Sequence, residues 1–365
     1  MRIALVAPLV TPIAQPYPGG AQAMLADLAQ GLLRRGHAVT LFARKSSSVP
    51  GVIIEQIKVP ESVLPANFSE PMQERSTNTG FFAQANLFLD LFLHLQHRHN
   101  EFDIIHAHAF DWPAFACSAL VRNVPVVHTL HLPALSPEIN NALSVLHRQG
   151  HPLTLVTVSH ACASTYMPYT PIDHVIYNGL DLDTLPFAAQ VAPDAPLLWA
   201  GRITPEKGVE AAIDIARQTG RHLLLAGGIY EQSYYNERIA PRLQQAGERV
   251  TYLGQLERAA LWQVMSHSLS LLFPIEWDEP FGLTPVEAMA TGTPVIAYRR
   301  GAAEEIIRHG ETGFLVEAGD PVHAASYVDE VGKLSRTQCR AHVKNHFSLE
   351  RMLDAYESVY TSVQM

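Results

Sequence analysis

The sequence predicts an α/β protein made of two doubly wound parallel-sheet domains, and two observations lead to that prediction. Short runs rich in Val, Ile and Leu are apolar at nearly every position, as in strands buried on both faces of a parallel sheet. Segments with helical spacing separate these runs, and the alternation starts afresh after a polar, proline-containing stretch at residues 180–196. At 365 residues with 47% hydrophobic content, the chain is also longer than one core usually supports.

The first domain is predicted over residues 1–185. Its strands are expected in the apolar runs at 2–8, 38–44, 103–109, 125–131, 153–159 and 173–179. Between the first two runs, Met24, Leu25 and Leu28 recur at helical spacing, and Gly36 follows as a stop signal. This order completes a βαβ unit.

The second domain is predicted over residues 194–345. Its strands are expected in the apolar runs at 196–203, 222–228, 250–255, 269–274, 294–298 and 313–319. Ligands of open parallel sheets bind at the carboxyl ends of the strands. We therefore expect two Rossmann-like domains that face a cleft, with the chemistry in that cleft.

Composition excludes several classes of function. The net charge is −9 and the basic residues are scattered, which disfavours a nucleic-acid partner. Cys117, Cys162 and Cys339 include no CxxC pair, so neither a disulfide framework nor a zinc site is indicated. Pro8 and Pro12 interrupt the N-terminal apolar run, which is therefore predicted to be a buried strand and not a signal peptide. We expect a cytoplasmic protein without a transmembrane segment.

The longest other apolar run, at residues 87–95, is too short to span a bilayer and carries Asp90 and His94. It is predicted to be a buried helix. The alternative is an acceptor groove or a peripheral contact with a membrane surface.

The segment GRITPEKG, residues 201–208, is predicted to end a strand and start a helix. Arg202 and Lys207 would then lie near a helix N-terminus, where backbone amides and the helix dipole favour an anion. Arg can bind two phosphate oxygens as a fork and Lys supplies a mobile point charge, so the pair suits a diphosphate. The alternative is that both are surface residues paired with Glu206 or Glu210.

A second motif, EPFGLTPVE, places seven residues between Glu279 and Glu287. We expect a helix here with Thr284 as its N-cap and Pro285 as its first residue. Glu279, in the loop before it, could accept hydrogen bonds from sugar hydroxyls, and Glu287 could do the same for a ribose diol. The alternatives are a solvated loop carboxylate for Glu279 and a capping box with Thr284 for Glu287.

With both motifs intact and in order, the C-terminal half resembles family 4 of the retaining glycosyltransferases, whose signatures are an Arg-x4-Lys pair and a Glu-x7-Glu pair. The likeness extends to the Gly19-Gly20 pair, the NGLDL stretch at 178–182 and residues 347–360. It implies the GT-B fold, with the first domain on the acceptor side and the second on the donor side. The final helix, residues 348–365, is expected to cross back to the first domain.

The resemblance also implies roles for single residues. Arg202 and Lys207 would hold the diphosphate of a nucleotide sugar. Glu287 would bind its ribose, and Glu279 the transferred sugar. The backbone amides near sugar and phosphate would be those of Phe281, Gly282 and Leu283.

Histidines and glycines of the first domain complete the expected site. Four histidines end two predicted strands: His106, His108, His128 and His131. In the family, a histidine at such a strand end contacts the donor sugar, and we match it to His131, with His128 as the alternative. For the remaining histidines we expect packing or supporting hydrogen bonds. Gly19 and Gly20 would line the other wall, unless they form an ordinary turn before a helix.

The implied reaction moves a sugar, with retention, from a nucleoside diphosphate sugar to a hydroxyl of a small-molecule, glycan or lipid acceptor. UDP is the first candidate for the nucleotide, with GDP or ADP as alternatives. No metal is implied, because Arg202 and Lys207 supply the charge that a divalent ion would provide. Two other functions stay open: a non-catalytic nucleotide-sugar-binding protein, and a GT-B relative with phosphorylase or epimerase chemistry.

Overall fold

A computed structural model describes residues 1–17, 19–60 and 78–364. The chain forms two compact units, one of Met1–Gly179 with Leu349–Met365 and the other of Leu180–Ser348. The strands of the described residues are β1 (Arg2–Val6), β2 (Ala38–Arg44), β3 (Ile53–Ile57), β4 (Ile104–Ala107), β5 (Val126–Leu130), β6 (Leu153–Thr157), β7 (His174–Val175), β8 (Leu197–Ala200), β9 (Leu223–Ala226), β10 (Val250–Gly254), β11 (Ser270–Phe273), β12 (Val295–Tyr298) and β13 (Gly313–Val316).

The α-helices lie between these strands and after the last of them. Within the same described ranges they are α1 (Gly20–Arg34), α2 (Asn78–His97), α3 (Trp112–Ser118), α4 (Pro137–Arg148), α5 (His160–Tyr166), α6 (Val209–Thr219), α7 (Gln232–Tyr234), α8 (Ala240–Ala246), α9 (Arg258–His267), α10 (Leu283–Ala290), α11 (Ala303–Ile306), α12 (Pro321–Ser326), α13 (Val328–Val331), α14 (Arg336–His346) and α15 (Leu349–Val363).

The first unit is built on a parallel sheet with the strand order β3-β2-β1-β4-β5-β6-β7. Each of the six predicted runs contains a strand, and β3 is an addition. Strand β3 has the sequence IIEQI and lies at the edge of the sheet, where Ile53 is 68% exposed. An edge strand does not need a continuous apolar run, which explains why the sequence pattern missed it.

The second unit contains a parallel sheet with the order β10-β9-β8-β11-β12-β13. All six predicted runs contain a strand. Strands β8 and β11 are paired in parallel at the centre, with Leu197 opposite Ser270. The segments that follow these two strands therefore leave the same edge of the sheet side by side, which is where ligands of such sheets bind.

Helix α15 is part of the first unit. Its residues Leu353 and Tyr356 share one buried core with Met24 and Leu28 of α1. Next to this core, Arg35 donates hydrogen bonds to carboxylates of α15, at 2.7 Å for Asp354 and 2.6 Å for Glu357. Apolar packing and ion pairs thus fix the last helix on the first.

Helix α2 contains the apolar run at 87–95. Phe88, Phe92 and Leu95 are buried, whereas Leu89 and Leu93 are 38% and 48% exposed. The predicted buried helix is therefore confirmed for one face of α2. Among the residues that the structure describes, no helix combines the length and the apolar character needed to cross a membrane.

Candidate functional site

The segment after β8 packs tightly on the loop after β11. It forms a 3-10 helix at Pro205–Lys207, and Gly208 then caps α6 with a left-handed φ of 68°. A Cβ atom at Gly208 would come within 1.8 Å of the carbonyl oxygen of Pro274, so only glycine fits. The amide of Glu276 donates a 2.8 Å hydrogen bond to the carbonyl oxygen of Glu206. The two loops thus form one rigid edge.

A three-residue cluster joins these loops. Lys207 Nζ donates a hydrogen bond of 2.5 Å to Glu279 Oε2, and Trp277 Nε1 donates one of 2.8 Å to the same oxygen. The ammonium group also lies 5.1 Å from the centre of the Trp277 ring, a cation–π distance. The Lys207 and Glu279 side chains are 15% and 16% exposed. Lys207 is therefore paired with Glu279, and the expected alternative of pairing with Glu206 or Glu210 is wrong for this lysine.

Arg202 lies at the edge of this cluster. Its guanidinium is 3.7 Å from the Glu206 carboxylate and 5.6 Å from the ring of Tyr230. Its side chain is 39% exposed. The pairing with Glu206 that was given as an alternative is therefore present for Arg202, but it is a long contact at an exposed position and contributes little stability.

Helix α10 begins earlier than predicted. Its N-cap is Gly282, with a φ of 94°, and its first residue is Leu283, so the prediction of Thr284 as N-cap and Pro285 as first residue is wrong. Gly282 adopts the left-handed conformation without the steric cost that a residue with a Cβ would incur, and the helix starts directly after it. The capping box given as the alternative for Glu287 needs Thr284 as the N-cap, and the N-cap is Gly282, which has no side chain to form one.

Glu287 pairs with an arginine instead. Arg258 Nε donates a 3.0 Å hydrogen bond to Glu287 Oε1, and the two side chains are only 14% and 8% exposed. The Arg258 guanidinium also lies 4.6 Å from the centre of the Trp262 ring. The buried carboxylate thus has a compensating charge, without which its burial would be strongly unfavourable.

The residues expected to offer amides surround the start of α10. Phe281 is buried and its ring lies 5.9 Å from that of Phe347, while Leu283 is half-buried. The backbone amides of the first helical turn, with the positive end of the helix dipole, form an arrangement that binds anions. Gly282 and its neighbours therefore lie where a phosphate group is favoured.

The histidines of the first unit form a buried cluster. His108 Nδ1 and His131 Nε2 share a hydrogen bond of 2.9 Å, and the ring of His106 lies 4.0 Å from that of His108. His106 Nδ1 lies 2.7 Å from the hydroxyl of Tyr360, and its Nε2 lies 2.8 Å from Thr129 Oγ1. His106 and His108 thus make the packing and supporting contacts that were expected of them.

His128 and His131 differ in access. His128 lies within β5, is fully buried, and neither of its ring nitrogens has a hydrogen-bond partner among the described residues. His131 follows the end of β5 and is 9% exposed. Burial lowers the pKa of His131 to about 4 and that of His128 to about 3, so both rings are neutral at neutral pH. Because only His131 reaches the surface, it is the better candidate of the two for contact with a ligand.

Gly19 and Gly20 lie at the start of α1. Gly19 is its N-cap, in an extended conformation with a φ of −162°, and both residues are exposed. This conformation does not itself require glycine. Glycine would matter at these positions only if a ligand had to approach the backbone closely.

Among the described residues, no three His, Cys, Asp or Glu side chains are grouped as a metal site would need.

Comparison with known families assigns the chain. The family described as Glycosyltransferase Family 4 matches residues 18–184, and the family described as Glycosyl transferases group 1 matches residues 190–346. The two matches together cover most of both units. The chain belongs to the family 4 type of glycosyltransferases.

Relatives and solved structures agree with this assignment. The glycosyltransferase is 28% identical over 340 residues to phosphatidyl-myo-inositol mannosyltransferase of Mycobacterium leprae, across 88% of this chain and 84% of that protein. Its fold is similar to that of HepE from Anabaena in complex with UDP, with a TM-score of 0.75 and 21% identity across 99% and 100% of the two chains. For sucrose-phosphate synthase of Thermosynechococcus elongatus the TM-score is 0.81, with 20% identity across 100% and 99%. The predicted GT-B fold is thereby confirmed.

Trp277 and Arg258, which contact the candidate residues Glu279 and Glu287, were not predicted from the sequence. Trp277 lies in the same loop as Glu279, and an aromatic donor so close to a candidate carboxylate was a usable local signal. Arg258 is far from Glu287 in the chain, and only the packing of α9 on α10 brings them together. No local pattern could have indicated that pair.

Proposed function

We propose that this glycosyltransferase moves a sugar, with retention of configuration, from a nucleoside diphosphate sugar to an acceptor hydroxyl, and that its second unit binds the donor. The observation that carries the proposal is the cluster of Lys207, Trp277 and Glu279. It joins a cation and a carboxylate at the carboxyl edge of the sheet, just before the start of α10, where no side chain caps the helix.

In this proposal Arg202 and Lys207 bind the diphosphate. An ammonium group has three protons, so Lys207 can keep its bond to Glu279 and still donate to a phosphate oxygen. The guanidinium of Arg202 can turn to a ligand at the cost of two weak contacts, with Glu206 and with the ring of Tyr230. Glu279 accepts a hydrogen bond from a hydroxyl of the transferred sugar, and Glu287, held by Arg258, accepts from the ribose.

The proposed reaction proceeds on one face of the sugar. The acceptor oxygen bonds to the anomeric carbon from the side on which the diphosphate leaves. The bond from that carbon to the phosphate oxygen breaks, its electron pair stays on the oxygen, and the same oxygen takes the proton of the acceptor hydroxyl. Lys207 and Arg202 stabilise the charge of the leaving group, a kind of interaction worth roughly 10²–10³ in rate for each donor. His131, being neutral, is proposed to contact the sugar without acting as a base.

We further propose that the reaction needs no metal ion, because Arg202 and Lys207 supply positive charge at the diphosphate. UDP is the first candidate for the nucleotide, since the similar HepE structure contains UDP, and GDP and ADP are the alternatives. The name of the mycobacterial relative supports a lipid-linked polyol among the acceptors to test. A cytoplasmic location, peripheral membrane contact and a role for Gly19 and Gly20 stay predictions.

The donor site is tested by a thermal-shift screen against UDP-, GDP-, ADP- and dTDP-sugars, in the presence and absence of EDTA. Lys207→Ala is screened in parallel. Lys333→Ala serves as the matched control, because Lys333 makes a 2.6 Å ion pair on the surface of the same unit, where it is 69% exposed. We expect one nucleotide class to raise the melting temperature of the wild type and the control but not of Lys207→Ala.

Turnover then tests the reaction itself. With the donor so found and a panel of polyol, glycan and lipid acceptors, nucleoside diphosphate should be released only when an acceptor is present, and EDTA should not change the rate. The anomeric configuration of the product, read by NMR, decides retention. Conversion of the donor sugar without an acceptor would indicate epimerase chemistry, and the absence of any shift or transfer would overturn the proposed donor site.

A further inference from the structure

Two hydrogen-bond donors reach the Glu279 carboxylate, and both end on one oxygen. The Lys207 ammonium and the Trp277 indole N–H lie 2.5 Å and 2.8 Å from Oε2. Within the described part of the chain, no group donates to Oε1. The backbone of Glu279 is also fixed, because its carbonyl oxygen accepts a 3.0 Å hydrogen bond from the amide of Ala302. The carboxylate is therefore held at one end and open at the other.

We infer that Trp277 is a positioning residue whose indole N–H holds Glu279 Oε2, so that Oε1 is the atom that recognises a hydroxyl of the transferred sugar. The inference rests on the proposed function, in which Glu279 binds that sugar. A carboxylate has room for about four hydrogen bonds, so the two on Oε2 leave Oε1 with its full capacity.

Lys207 alone does not hold the carboxylate in this way. Its ammonium sits at the end of a flexible side chain, and in the proposed function it also binds the diphosphate. Whenever Lys207 moves toward the phosphate, the rigid indole of Trp277 still donates to Oε2. The Trp277 ring, 5.1 Å from the ammonium, additionally attracts the Lys207 side chain through a cation–π contact.

The arrangement has a consequence for specificity. A carboxylate oxygen only accepts hydrogen bonds, so it recognises a sugar hydroxyl and not a position that is deoxygenated or methylated. Sites that must hydrogen-bond a hydroxyl reject analogues that lack it, because the polar group of the protein is then left without a partner. Trp277 thus contributes to the choice of sugar without touching it.

The test uses Trp277→Phe, which removes the N–H and keeps an aromatic ring near Lys207, together with Glu279→Gln and the double variant. Calorimetry measures binding of three matched pairs, UDP-glucose with UDP, GDP-mannose with GDP and ADP-glucose with ADP. For the pair that the wild type binds, we expect Trp277→Phe to weaken the nucleotide sugar roughly tenfold. The nucleotide alone, which lacks the sugar, should bind as before. In the Glu279→Gln background the same change should have little further effect.

Several results would overturn the inference. An equal loss for nucleotide and nucleotide sugar would assign Trp277 to the diphosphate or to the fold, and no loss for either would show that its N–H is not needed. The NMR signal of the Trp277 indole N–H, identified by its disappearance in Trp277→Phe, should shift in Glu279→Gln even without ligand. A signal that stays in place would refute the contact and leave the proposed function intact. If the wild type binds none of the six ligands, the proposed function fails, and the inference fails with it.

Discussion

Side chains that follow central strands differ sharply between the two units. In the first unit, β4 and β5 contribute four histidines, and burial lowers the pKa of each below its ordinary value. In the second unit, β8 and β11 are followed by Arg202, Lys207 and Glu279, which are partly exposed and charged. One strand edge therefore offers neutral hydrogen-bonding groups and the other offers charge.

This difference indicates what each cluster is for. Charges at a partly exposed edge gain only modest stability from their pairs, which is consistent with the proposal that they bind a ligand. The buried neutral histidine rings contribute to packing, and His106 is in addition hydrogen-bonded to Tyr360 of α15. Substitutions in the second cluster should thus reduce activity, and substitutions in the first, apart from His131, should mainly reduce stability.

The largest expected effect that would test this comparison comes from Lys207→Ala. Turnover should fall by roughly 10²–10³, because a preorganised donor to the leaving group is lost. The free energy of unfolding should fall by only about 1 kcal/mol, since one ion pair and its hydrogen bond disappear. Steady-state kinetics and urea unfolding measure the two quantities. A loss of stability large enough to explain the loss of turnover would contradict the comparison.

The second effect is the pH dependence of stability. Histidine has a pKa of about 6.5 in an unfolded chain, whereas in the fold the pKa is about 4 for His131 and about 3 for His128. Between these values the unfolded state binds protons that the folded state does not, so stability falls as the pH falls below 6.5. The loss is about 1.4 kcal/mol per pH unit for each such histidine until its folded pKa is reached. Urea unfolding at several pH values in this window measures the slope.

A variant isolates the histidine contribution from that of other groups. His128→Leu removes one titrating ring that has no hydrogen-bond partner among the described residues. Its stability should depend less steeply on pH than that of the wild type, by about one proton. Tyr356 and Tyr360, which face the cluster, stay neutral throughout because burial raises the pKa of both. An unchanged slope would show that these histidines are not shielded from solvent as the fold implies.

The sequence predicted the strands correctly where consecutive residues are all buried. The predicted runs located twelve of the strands, because central strands of a parallel sheet are apolar at each position, and missed β3, where Glu55 and Gln56 lie at an exposed edge. The sequence also predicted that Lys207 and Glu279 lie in one site, and the two side chains are in contact. It failed where a glycine conformation decided the outcome, as at Gly282, and where a partner lay far along the chain, as for Glu287 and Arg258. Neither the left-handed φ nor the helix packing leaves a local pattern.

The third effect concerns Arg258, a largely buried cation beside Glu287 that the sequence did not indicate. If it positions Glu287 for the ribose, Arg258→Gln should raise the KM of the donor roughly tenfold. For a donor with 2′-deoxyribose the same substitution should raise the KM less, because this donor already lacks one hydroxyl that Glu287 would bind. Arg299→Gln, which breaks an exposed pair with Glu304, is the matched control. An equal increase of KM for both donors would show that the Arg258–Glu287 pair has a structural role. The second unit would then contain charges that serve the fold and not a ligand.

The smallest expected effect comes from Tyr360→Phe, which removes the hydroxyl that lies 2.7 Å from His106 Nδ1. The buried ring nitrogen then lacks a partner, so the free energy of unfolding should fall by about 1 kcal/mol while kcat and KM stay as in the wild type. Tyr356→Phe, which removes a 3.0 Å bond to Thr129 Oγ1, should behave in the same way. A clear decrease of kcat in a variant that is still fully folded would show that α15 acts through His106 and His108 on His131. The histidine cluster would then belong to the reaction as much as the charged one does.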